Sequence, residues 1–390
     1  MGDTLIIRLA AVRRIVPAAA RRNSGDCGSL TELLTTGPKI IHVTVVGYGT
    51  IGRLHAGILR RAGARVSIVD PRPAERPAGV QVWRAVDEIR HRSWHPVDVW
   101  VISNPTAHHL STLRNVLSWQ PNARVFMEKP ACASYEVDDL RRLLAEHPEA
   151  RLKVNQQYRY SRVVSQLRAA MARAGGRWPD SIEISFTKDR RRDEAAGRFV
   201  DTDYQVLGYE WTHMISVLEG LLPHAAVQRY LTSPAEESRF TVARAGCGTV
   251  TGLQEDSWLG STRLSMYSTI TEDLSGRGAP SGLHSHWQRT TRSPGRHRYA
   301  KVRFGDTLLI AEFDPVTTVD GYFLPRNKHR LTIETKGRVH DERIIFDSPL
   351  ATSLHSGLAQ LTGSGTDKTW LPPVRRIANI SRYLAESSAA

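Results

Sequence analysis

The chain has 390 residues, 41% of them hydrophobic, and a formal net charge of +14 at pH 7, so it is long enough to bury the cores of two domains. It contains no run of 18 or more apolar residues and its three cysteines lie far apart, so we expect a cytoplasmic protein without a membrane span, disulfide framework or metal site. The arginines are scattered, which favours a basic surface that can attract an anionic substrate over nucleic-acid binding.

Residues 1–38 are rich in Arg and Ala and poor in acids, a composition that resembles a transit peptide. A disordered leader, or coding sequence upstream of the true start, is the alternative interpretation. We expect this N-terminal extension to be poorly ordered and leave it out of the fold.

Residues 39–157 alternate between strand and helix patterns. The run KIIHVTVVG predicts a buried strand, and TIGRLHAGILRRAG has apolar residues at helical spacing. The later runs RVSIVD, VDVWVIS, RVFM and RLKVNQQ predict further strands, with helices after the second and third of them. This alternation predicts a parallel sheet covered on both faces, as in α/β domains of the Rossmann type.

Residues 158–370 predict a second α/β domain. The helix SRVVSQLRAAMARAG precedes the strand SIEISFTK, and a basic, loop-like segment, DRRRDEAAGRFVDTD, leads to the helix GYEWTHMISVLEGLL. Between residues 225 and 347, short β-type runs follow one another without long helices and predict an open, mostly antiparallel sheet: AVQRYL, TRLSMYS, AKVRF, TLLIAEF, HRLTIET and RIIFD. We predict a loop at 275–296, and a C-terminal helix and tail at 371–390.

Gly47, Gly49 and Gly52 have the G-x-G-x-x-G spacing between the first strand and the first helix. The first glycine permits a tight turn, the second leaves room for a pyrophosphate, and the third lets helix and strand pack closely. The helix N-terminus at Thr50 and Ile51 offers free N–H groups to phosphates. The alternative, an α/β turn without a ligand, is disfavoured by the acid that ends the next strand.

That acid is Asp70, 23 residues after Gly47. Its carboxylate can accept hydrogen bonds from both ribose hydroxyls and repels a 2′-phosphate, which favours NAD over NADP. Arg72 and Arg76 are close in sequence and can offset part of this repulsion, so NADP stays open as the cofactor.

Glu128, Lys129 and Pro130 directly follow the strand RVFM. Ligands of open parallel sheets bind beyond the carboxyl ends of the strands, so Lys129 lies at an expected ligand site. A half-buried lysine readily has a lowered pKa and can then exchange a proton near neutral pH. The alternative is a surface Glu–Lys pair at a strand exit, and the glycine motif favours the functional interpretation.

The combination of GYGTIG, NPTAHH and MEKP resembles the Gfo/Idh/MocA family, named for glucose–fructose oxidoreductase and inositol dehydrogenase, over roughly residues 40–222. The resemblance implies that Lys129 contacts both the nicotinamide ribose and the substrate hydroxyl. It also implies that Glu128 lies against the cofactor, and that the peptide bond before Pro130 is commonly cis.

Further site residues follow from the same resemblance. The loop with Asn104, Pro105 and His109 matches the family's Pro-x-x-x-His loop at the cofactor. Arg159, in QQYRYS, matches an arginine at the entrance of the second domain and is expected at the substrate.

Glu210 and His213 lie three residues apart beside the apolar face of the helix GYEWTHMISVLEGLL. By the resemblance, His213 contacts the substrate hydroxyl as general acid/base or orients it, and Glu210 positions the substrate or the imidazole. A histidine packed at a domain seam is the alternative. The family's usual acids four residues before and three residues after this histidine are Tyr209 and Ser216 here, so the division of labour between Lys129 and His213 stays open. Tyr209 is a further candidate proton donor.

Arg190, Arg191 and Arg192 follow the first strand of the second domain. One of them, Arg190 in our assignment, can clamp a phosphate or carboxylate of the substrate, and a solvated charged loop is the alternative. His284 and His286 have no carboxylate or cysteine at ligand spacing, so we expect no metal there.

These features predict an NAD-dependent oxidoreductase that transfers a hydride between nicotinamide and a secondary alcohol or ketone of a sugar, cyclitol or related polyol. The family also implies a homodimer or homotetramer formed through the open sheet. One alternative is a sugar lyase or hydrolase that cycles a tightly bound NAD. The other is a regulator that senses a dinucleotide without catalysis, against which the presence of Lys129 argues.

Overall fold

The computed structural model describes residues 40–387 except 74–76, 93–95, 175–177, 198–200, 247, 272–295, 319, 321 and 364–370. The predicted N-terminal extension, the pair His284 and His286, and nearly all of the predicted loop at 275–296 lie outside the described residues.

Six parallel strands form the sheet of the first domain. They are β1 His42–Val46, β2 Arg65–Val69, β3 Gln81–Trp83, β4 Val99–Ile102, β5 Arg124–Met127 and β6 Arg151–Val154. The strands lie in the order β3-β2-β1-β4-β5-β6, and each neighbouring pair is parallel. This is the strand order of a Rossmann fold, so the predicted fold of this domain is confirmed.

Within the described residues, four helices lie between these strands along the chain: α1 Thr50–Arg61, α2 Val86–Arg92, α3 His109–Trp119 and α4 Val137–Glu146. Strands β1 and β4 are buried along their whole length, because neighbouring elements cover both faces of the sheet. Helix α1 packs on β1 and β2 through a buried stripe that includes His55, Ala56 and Leu59.

The second domain contains an eight-stranded sheet. Its strands are β7 Ser181–Lys188, β8 Arg239–Ala245, β9 Thr249–Leu259, β10 Thr262–Thr269, β11 Arg296–Phe304, β12 Thr307–Glu312, β13 Lys328–Thr335 and β14 Arg338–Phe346. The order is β14-β13-β12-β11-β7-β10-β9-β8. Only the β7–β10 pair among these is parallel, which confirms the predicted mostly antiparallel sheet.

The remaining helices are α5 Arg162–Arg173, α6 Arg191–Ala195, α7 Thr212–Leu221, α8 His224–Thr232, α9 Pro349–Thr362 and α10 Leu371–Glu386. A π-helical turn, Leu207–Trp211, runs directly into α7. Helix α10 corresponds to the predicted C-terminal helix.

Two sequence predictions in this half are wrong. The run AVQRYL lies in helix α8, where Val227, Tyr230 and Leu231 form a buried face at helical spacing. The basic segment predicted as a loop contains the short helix α6. The strands β8 and β9 and the helix α9 were not predicted.

Helix α9 packs on the first sheet, although we predicted residues 158–370 to form the second domain. Its Leu354, Leu358 and Leu361 share a core cluster with Val43 of β1. Gly357 allows this close approach, because a Cβ there would lie 2.5 Å from the ring of Phe126. The chain therefore returns to the cofactor domain after completing the second sheet.

Candidate active site

A cleft of about 1400 Å³ is lined by residues of both domains. The first domain contributes the segments that follow β1, β2, β4 and β5, and the second contributes the ends of β7 and β11 and the π-helical turn. The carboxyl ends of parallel strands are the expected place for a ligand in this type of sheet.

The glycine turn has the local geometry that a dinucleotide requires. Gly47 has a φ of +87°, and a Cβ there would lie 2.5 Å from the backbone nitrogen of Asn104. A Cβ on Gly52 would lie 1.9 Å from the carbonyl oxygen of Gly47. At Gly49, in contrast, nothing lies within 4 Å of the Cβ position, so the space beside this residue is open.

The N-terminus of α1 borders that open space. Thr50 and Ile51 line the cleft, and neither a side-chain cap nor an acidic residue occupies the first turn of the helix. The first backbone N–H groups and the positive end of the helix dipole are thus available to phosphates. The cradle fits the pyrophosphate of a dinucleotide.

Asp70 lies at the adjacent strand end, where its carboxylate is held by the backbone. Its Oδ2 accepts a hydrogen bond from the N–H of Tyr48 at 2.7 Å, and its Oδ1 accepts one from the N–H of Arg72 at 2.8 Å. Both Asp70 and Arg72 line the cleft. The carboxylate is therefore fixed in place with lone pairs left for ribose hydroxyls.

The loop after β4 is held by its histidine. The two ring nitrogens of His109 lie 2.8 Å from the carbonyl oxygens of Asn104 and Pro130. Burial lowers the pKa of His109, although the hydrogen bonds to the two carbonyl groups act to raise it. His109 thus joins two cleft loops, and Asn104 and Pro105 line the cleft beside it.

Glu128 is buried and forms hydrogen bonds with residues of two other segments of the first domain. Its Oε1 lies 2.6 Å from His55 Nε2 and accepts a hydrogen bond from Asn155 Nδ2 at 2.7 Å. Burial acts to raise the pKa of Glu128, but His55 and the ammonium of Lys129 outweigh it and lower the pKa below its usual value. The carboxylate therefore stays ionised next to Lys129.

Lys129 reaches from the first domain to the second. Its Nζ donates hydrogen bonds to the carbonyl oxygens of Gly208 at 3.1 Å and Tyr209 at 2.6 Å, both in the π-helical turn. Burial lowers the pKa of Lys129 to about 8, although Glu210 and Glu128 act to raise it. The peptide bond between Lys129 and Pro130 is cis, as the resemblance implies.

Glu210 lies in the cleft with His213 and is paired with two arginines that the sequence analysis did not connect to it. Its side chain is fully buried; Oε1 accepts a hydrogen bond from Arg190 Nη2 at 3.2 Å and Oε2 one from Arg298 Nη2 at 2.5 Å. Burial acts to raise the pKa of Glu210, but the two guanidinium groups lower it far below its usual value. Glu210 is therefore a fixed anion that positions two arginines and does not exchange protons near neutral pH.

His213 lines the same cleft as Lys129. Its imidazole packs edge-on against Tyr158, with 5.4 Å between ring centroids, and no hydrogen bond joins its ring nitrogens to another described residue. Burial and the positive charge of Lys129 lower its pKa well below the usual value. A neutral imidazole here can orient a hydroxyl but is a weak proton acceptor.

Tyr209 lines the cleft, where the sequence analysis expects it, and Arg159 does not. The phenol oxygen of Tyr209 accepts a hydrogen bond from the N–H of Asp201 at 2.6 Å, and burial raises the pKa of this phenol. The Nη1 of Arg159 instead donates to Gln156 Oε1 at 2.8 Å and lies 3.6 Å from Glu219 Oε1.

Sequence reasoning missed several charged groups in the cleft wall. Arg296 and Arg298 of β11 line the cleft, as does Lys188 at the end of β7 and the buried Asp201. The run RHRYAKVRF contained a signal for these two arginines. Arg296 and Arg298 occupy alternate positions, and the same alternation continues with the apolar residues Ala300 and Val302. In a strand, such alternation places them on the core-facing side.

No group of three or more His, Cys, Asp or Glu side chains in the described part of the chain is arranged to hold a metal ion. None of the described helices combines the length and the hydropathy that crossing a bilayer requires.

Comparison with known proteins places this cleft in context. A family model described as an oxidoreductase family with an NAD-binding Rossmann fold, GFO_IDH_MocA, matches residues 41–158. A search of curated proteins gave no match.

Solved structures share the fold over nearly the whole chain. UDP-N-acetylglucosamine 3-dehydrogenase GnnA from Acidithiobacillus ferrooxidans is 16% identical, with a TM-score of 0.60 over 89% of this chain and 97% of that one. WlbA dehydrogenase from Thermus thermophilus, solved with NAD and UDP-GlcNAcA, is 14% identical, with a TM-score of 0.53 over 88% and 94%. A mutant of KijD10, a 3-ketoreductase from Actinomadura kijaniata solved with TDP-benzene and NADP, is 14% identical, with a TM-score of 0.60 over 89% and 97%.

Proposed function

We propose that the chain is a sugar or polyol dehydrogenase or ketoreductase of the Gfo/Idh/MocA type, because the model of that oxidoreductase family, with an NAD-binding Rossmann fold, matches residues 41–158. The substrate would be a secondary alcohol or ketone of a sugar, cyclitol or related polyol. The observation that carries this proposal is the partly buried amine of Lys129, which lines the same cleft as His213 and the glycine turn and whose charge lowers the pKa of His213.

The first domain offers a site for each part of the cofactor. Gly49 and the N-terminus of α1 would hold the pyrophosphate, and Asp70 would accept hydrogen bonds from the adenosine ribose. Lys129 and the loop of Asn104 and Pro105 line the same cleft and would contact the nicotinamide half. When bound, NAD(P) supplies the ring that takes or gives the hydride.

Proton transfer falls to Lys129 in this proposal. With a pKa of about 8, its amine can accept the hydroxyl proton of an alcohol during oxidation, and its ammonium can return a proton to the oxygen during reduction. His213, which is neutral, would orient the hydroxyl. Glu210 would act on the chemistry indirectly, by fixing Arg190 and Arg298.

Substitution of Lys129 tests this division of labour. We expect Lys129→Ala to retain binding of NADH and to lose at least about a hundredfold in turnover, the low end for a missing general acid/base. Lys129→Arg is the matched control, because it keeps the positive charge but has no neutral form near pH 8. Turnover of either variant close to that of the parent would remove Lys129 from the mechanism.

The same residues would also serve a lyase or hydrolase that oxidises and re-reduces its sugar. Net accumulation of NADH during turnover supports the dehydrogenase, whereas product formation without NADH supports the redox cycle. Binding of NAD without hydride exchange across a broad polyol panel would favour a dinucleotide-sensing regulator.

We also propose that the outer face of the second sheet pairs with a second copy of the chain. Trp258, Ile344 and Phe346 are large apolar side chains on strands β9 and β14 with 66%, 46% and 62% of their surface exposed. Pairing of two copies over this face would remove these side chains from water. Light scattering on the purified protein should give the mass of a dimer or tetramer, and the mass of a monomer would contradict this proposal.

A further inference from the structure

Four cations of the second domain form one wall of the cleft, which we call the cationic wall: Lys188, Arg190, Arg296 and Arg298. Strands β7 and β11 pair Lys188 with Arg296 and Phe186 with Arg298. Arg190 follows β7, and the other three cations continue the core-facing row of Ile184, Phe186 and Ala300, since alternate residues of a strand share a face. They point into the protein and are not ordinary solvated surface charges.

The cationic wall is shielded from solvent. The side chains of Lys188, Arg190 and Arg298 are only 14%, 17% and 9% exposed. Lys188 and Arg296 lie directly opposite each other in the sheet, an arrangement of like charges that is destabilising by itself. Burial, together with the neighbouring cations, lowers the pKa of Lys188 to about 8 and lowers the pKa of Arg296.

The carboxylates near this wall do not balance it. Glu210 is shared by Arg190 and Arg298, and Asp193 is shared by Lys188 and Arg190. Two carboxylates against four cations leave a formal excess of two positive charges. Within the described part of the chain, the guanidinium of Arg296 has no hydrogen bond or ion pair.

Neither the other acids of the cleft nor the cofactor supplies the missing charge. Asp201 and Asp314 also line the cleft, but neither forms an ion pair with the cationic wall among the described residues. The cofactor's pyrophosphate has its own cradle at Gly49, in the other domain. Partly buried cations are costly unless a counter-charge pairs with them, so the wall is suited to an anion that enters the cleft.

On the premise of the proposed function, we propose that the substrate carries a carboxylate or phosphate that binds the cationic wall, with Arg296 as its principal ligand. Arg190 and Arg298 are close enough to influence the charge of Lys129, so the anion binds near the reacting hydroxyl. A guanidinium fork matches the two oxygens of a carboxylate or phosphate, which makes Arg296 a suitable recognition residue. The bound anion would also relieve the repulsion between Lys188 and Arg296.

Calorimetry on the full chain saturated with NADH tests this assignment. The probes are D-glucose as the neutral reference, D-glucuronate as a carboxylate, D-glucose 6-phosphate as a phosphomonoester and UDP-glucose as a diphosphate. We expect at least one anionic probe to bind about tenfold or more tightly than D-glucose, the size of one charge-assisted hydrogen bond. The ranking of the three anions distinguishes carboxylate from phosphate recognition.

Substitutions at two positions of β11 distinguish specific binding of the anion by Arg296 from a general effect of positive charge. Arg296→Gln should remove most of the preference for the anionic probe, and Arg296→Lys should keep part of it. Arg303→Gln is the matched control, because Arg303 is exposed on the outer side of the same strand and should leave the preference unchanged. A thermal melt of each variant confirms that it is folded.

The outcomes of this experiment and of the proposed function are separable. Equal binding of D-glucose and every anionic probe, or equal effects of the two glutamine variants, would overturn the anionic substrate. Hydride transfer to a neutral polyol without any preference for anions would overturn it as well, while leaving the dehydrogenase intact. Selective anion binding that depends on Arg296, without hydride transfer, would support the anion site and count against the dehydrogenase.

Discussion

The pH dependence of alcohol oxidation tests the assignment of Lys129 as the base. With a pKa of about 8, about one tenth of the amine is neutral at pH 7. At the ordinary lysine pKa of 10.5 that fraction is about three in ten thousand, so the environment of the cleft increases the amount of base about 300-fold. This gain is large enough to appear directly in initial rates.

We expect kcat/KM for oxidation to rise about tenfold per pH unit below pH 8 and to level off above it, because only the neutral amine accepts a proton. Reduction of the ketone should show the opposite dependence, with the rate falling above pH 8 as the ammonium is lost. The assay is the initial rate of NADH formation or consumption between pH 6 and 10. A flat oxidation profile, or a break near the ordinary lysine pKa, would refute the assignment.

Two substitutions shift this break in opposite directions. Glu210→Gln removes the anion that most strongly favours the ammonium form of Lys129, so the break should move below pH 8. Arg190→Gln removes a cation that disfavours the ammonium, so the break should move above pH 8. Glu183→Gln, on the outer face of β7, is the control and should leave it in place. Shifts of the same sign in both variants would contradict the electrostatic argument.

Other predictions concern the cradle and a buried ion pair. Gly49→Ala should leave the melting temperature unchanged and weaken NAD binding at least about tenfold. Gly52→Ala should destabilise the fold by about 3 kcal/mol in a thermal melt, because its Cβ would lie 1.9 Å from a carbonyl oxygen. Asp70→Ser should raise the NADP-to-NAD affinity ratio measured by fluorescence titration, and an unchanged ratio would contradict its role. Glu255→Gln should cost about 3–5 kcal/mol in urea unfolding, because it leaves the fully buried Arg376 without its carboxylate partner, and a loss below 1 kcal/mol would contradict this.

The cradle could be predicted from sequence because its contacts are local. The turn at Gly47 and the acid at Asp70 belong to one βαβ unit, in which spacing along the chain fixes spacing in the fold. The position of the Glu-Lys-Pro stretch could be predicted in the same way, since a residue that follows a buried parallel strand must lie at the carboxyl edge of the sheet.

The electrostatics of the second domain could not be predicted in the same way. Glu210 is paired with Arg298, a residue 88 positions later in the chain, and only the register of β7 and β11 brings that arginine inward. The motif of Arg159 assigned this residue to the substrate, but its guanidinium lies 3.6 Å from the carboxylate of Glu219. Such pairings depend on how distant elements pack, and local patterns carry no information about them.

The π-helical turn explains why the two domains meet at Lys129. Gly208 packs so closely against Asp201 that a Cβ would lie 2.1 Å from the carboxylate oxygen, and this contact has room only for glycine. The turn presents its carbonyl oxygens to the Lys129 amine, one helical turn before His213. The amine is thus positioned by backbone atoms, which remain when neighbouring side chains are replaced. A π turn inserts an extra residue into a helix and widens it locally, a feature that is frequent at functional sites. The three-residue spacing of Glu210 and His213 in the sequence does not indicate this widening.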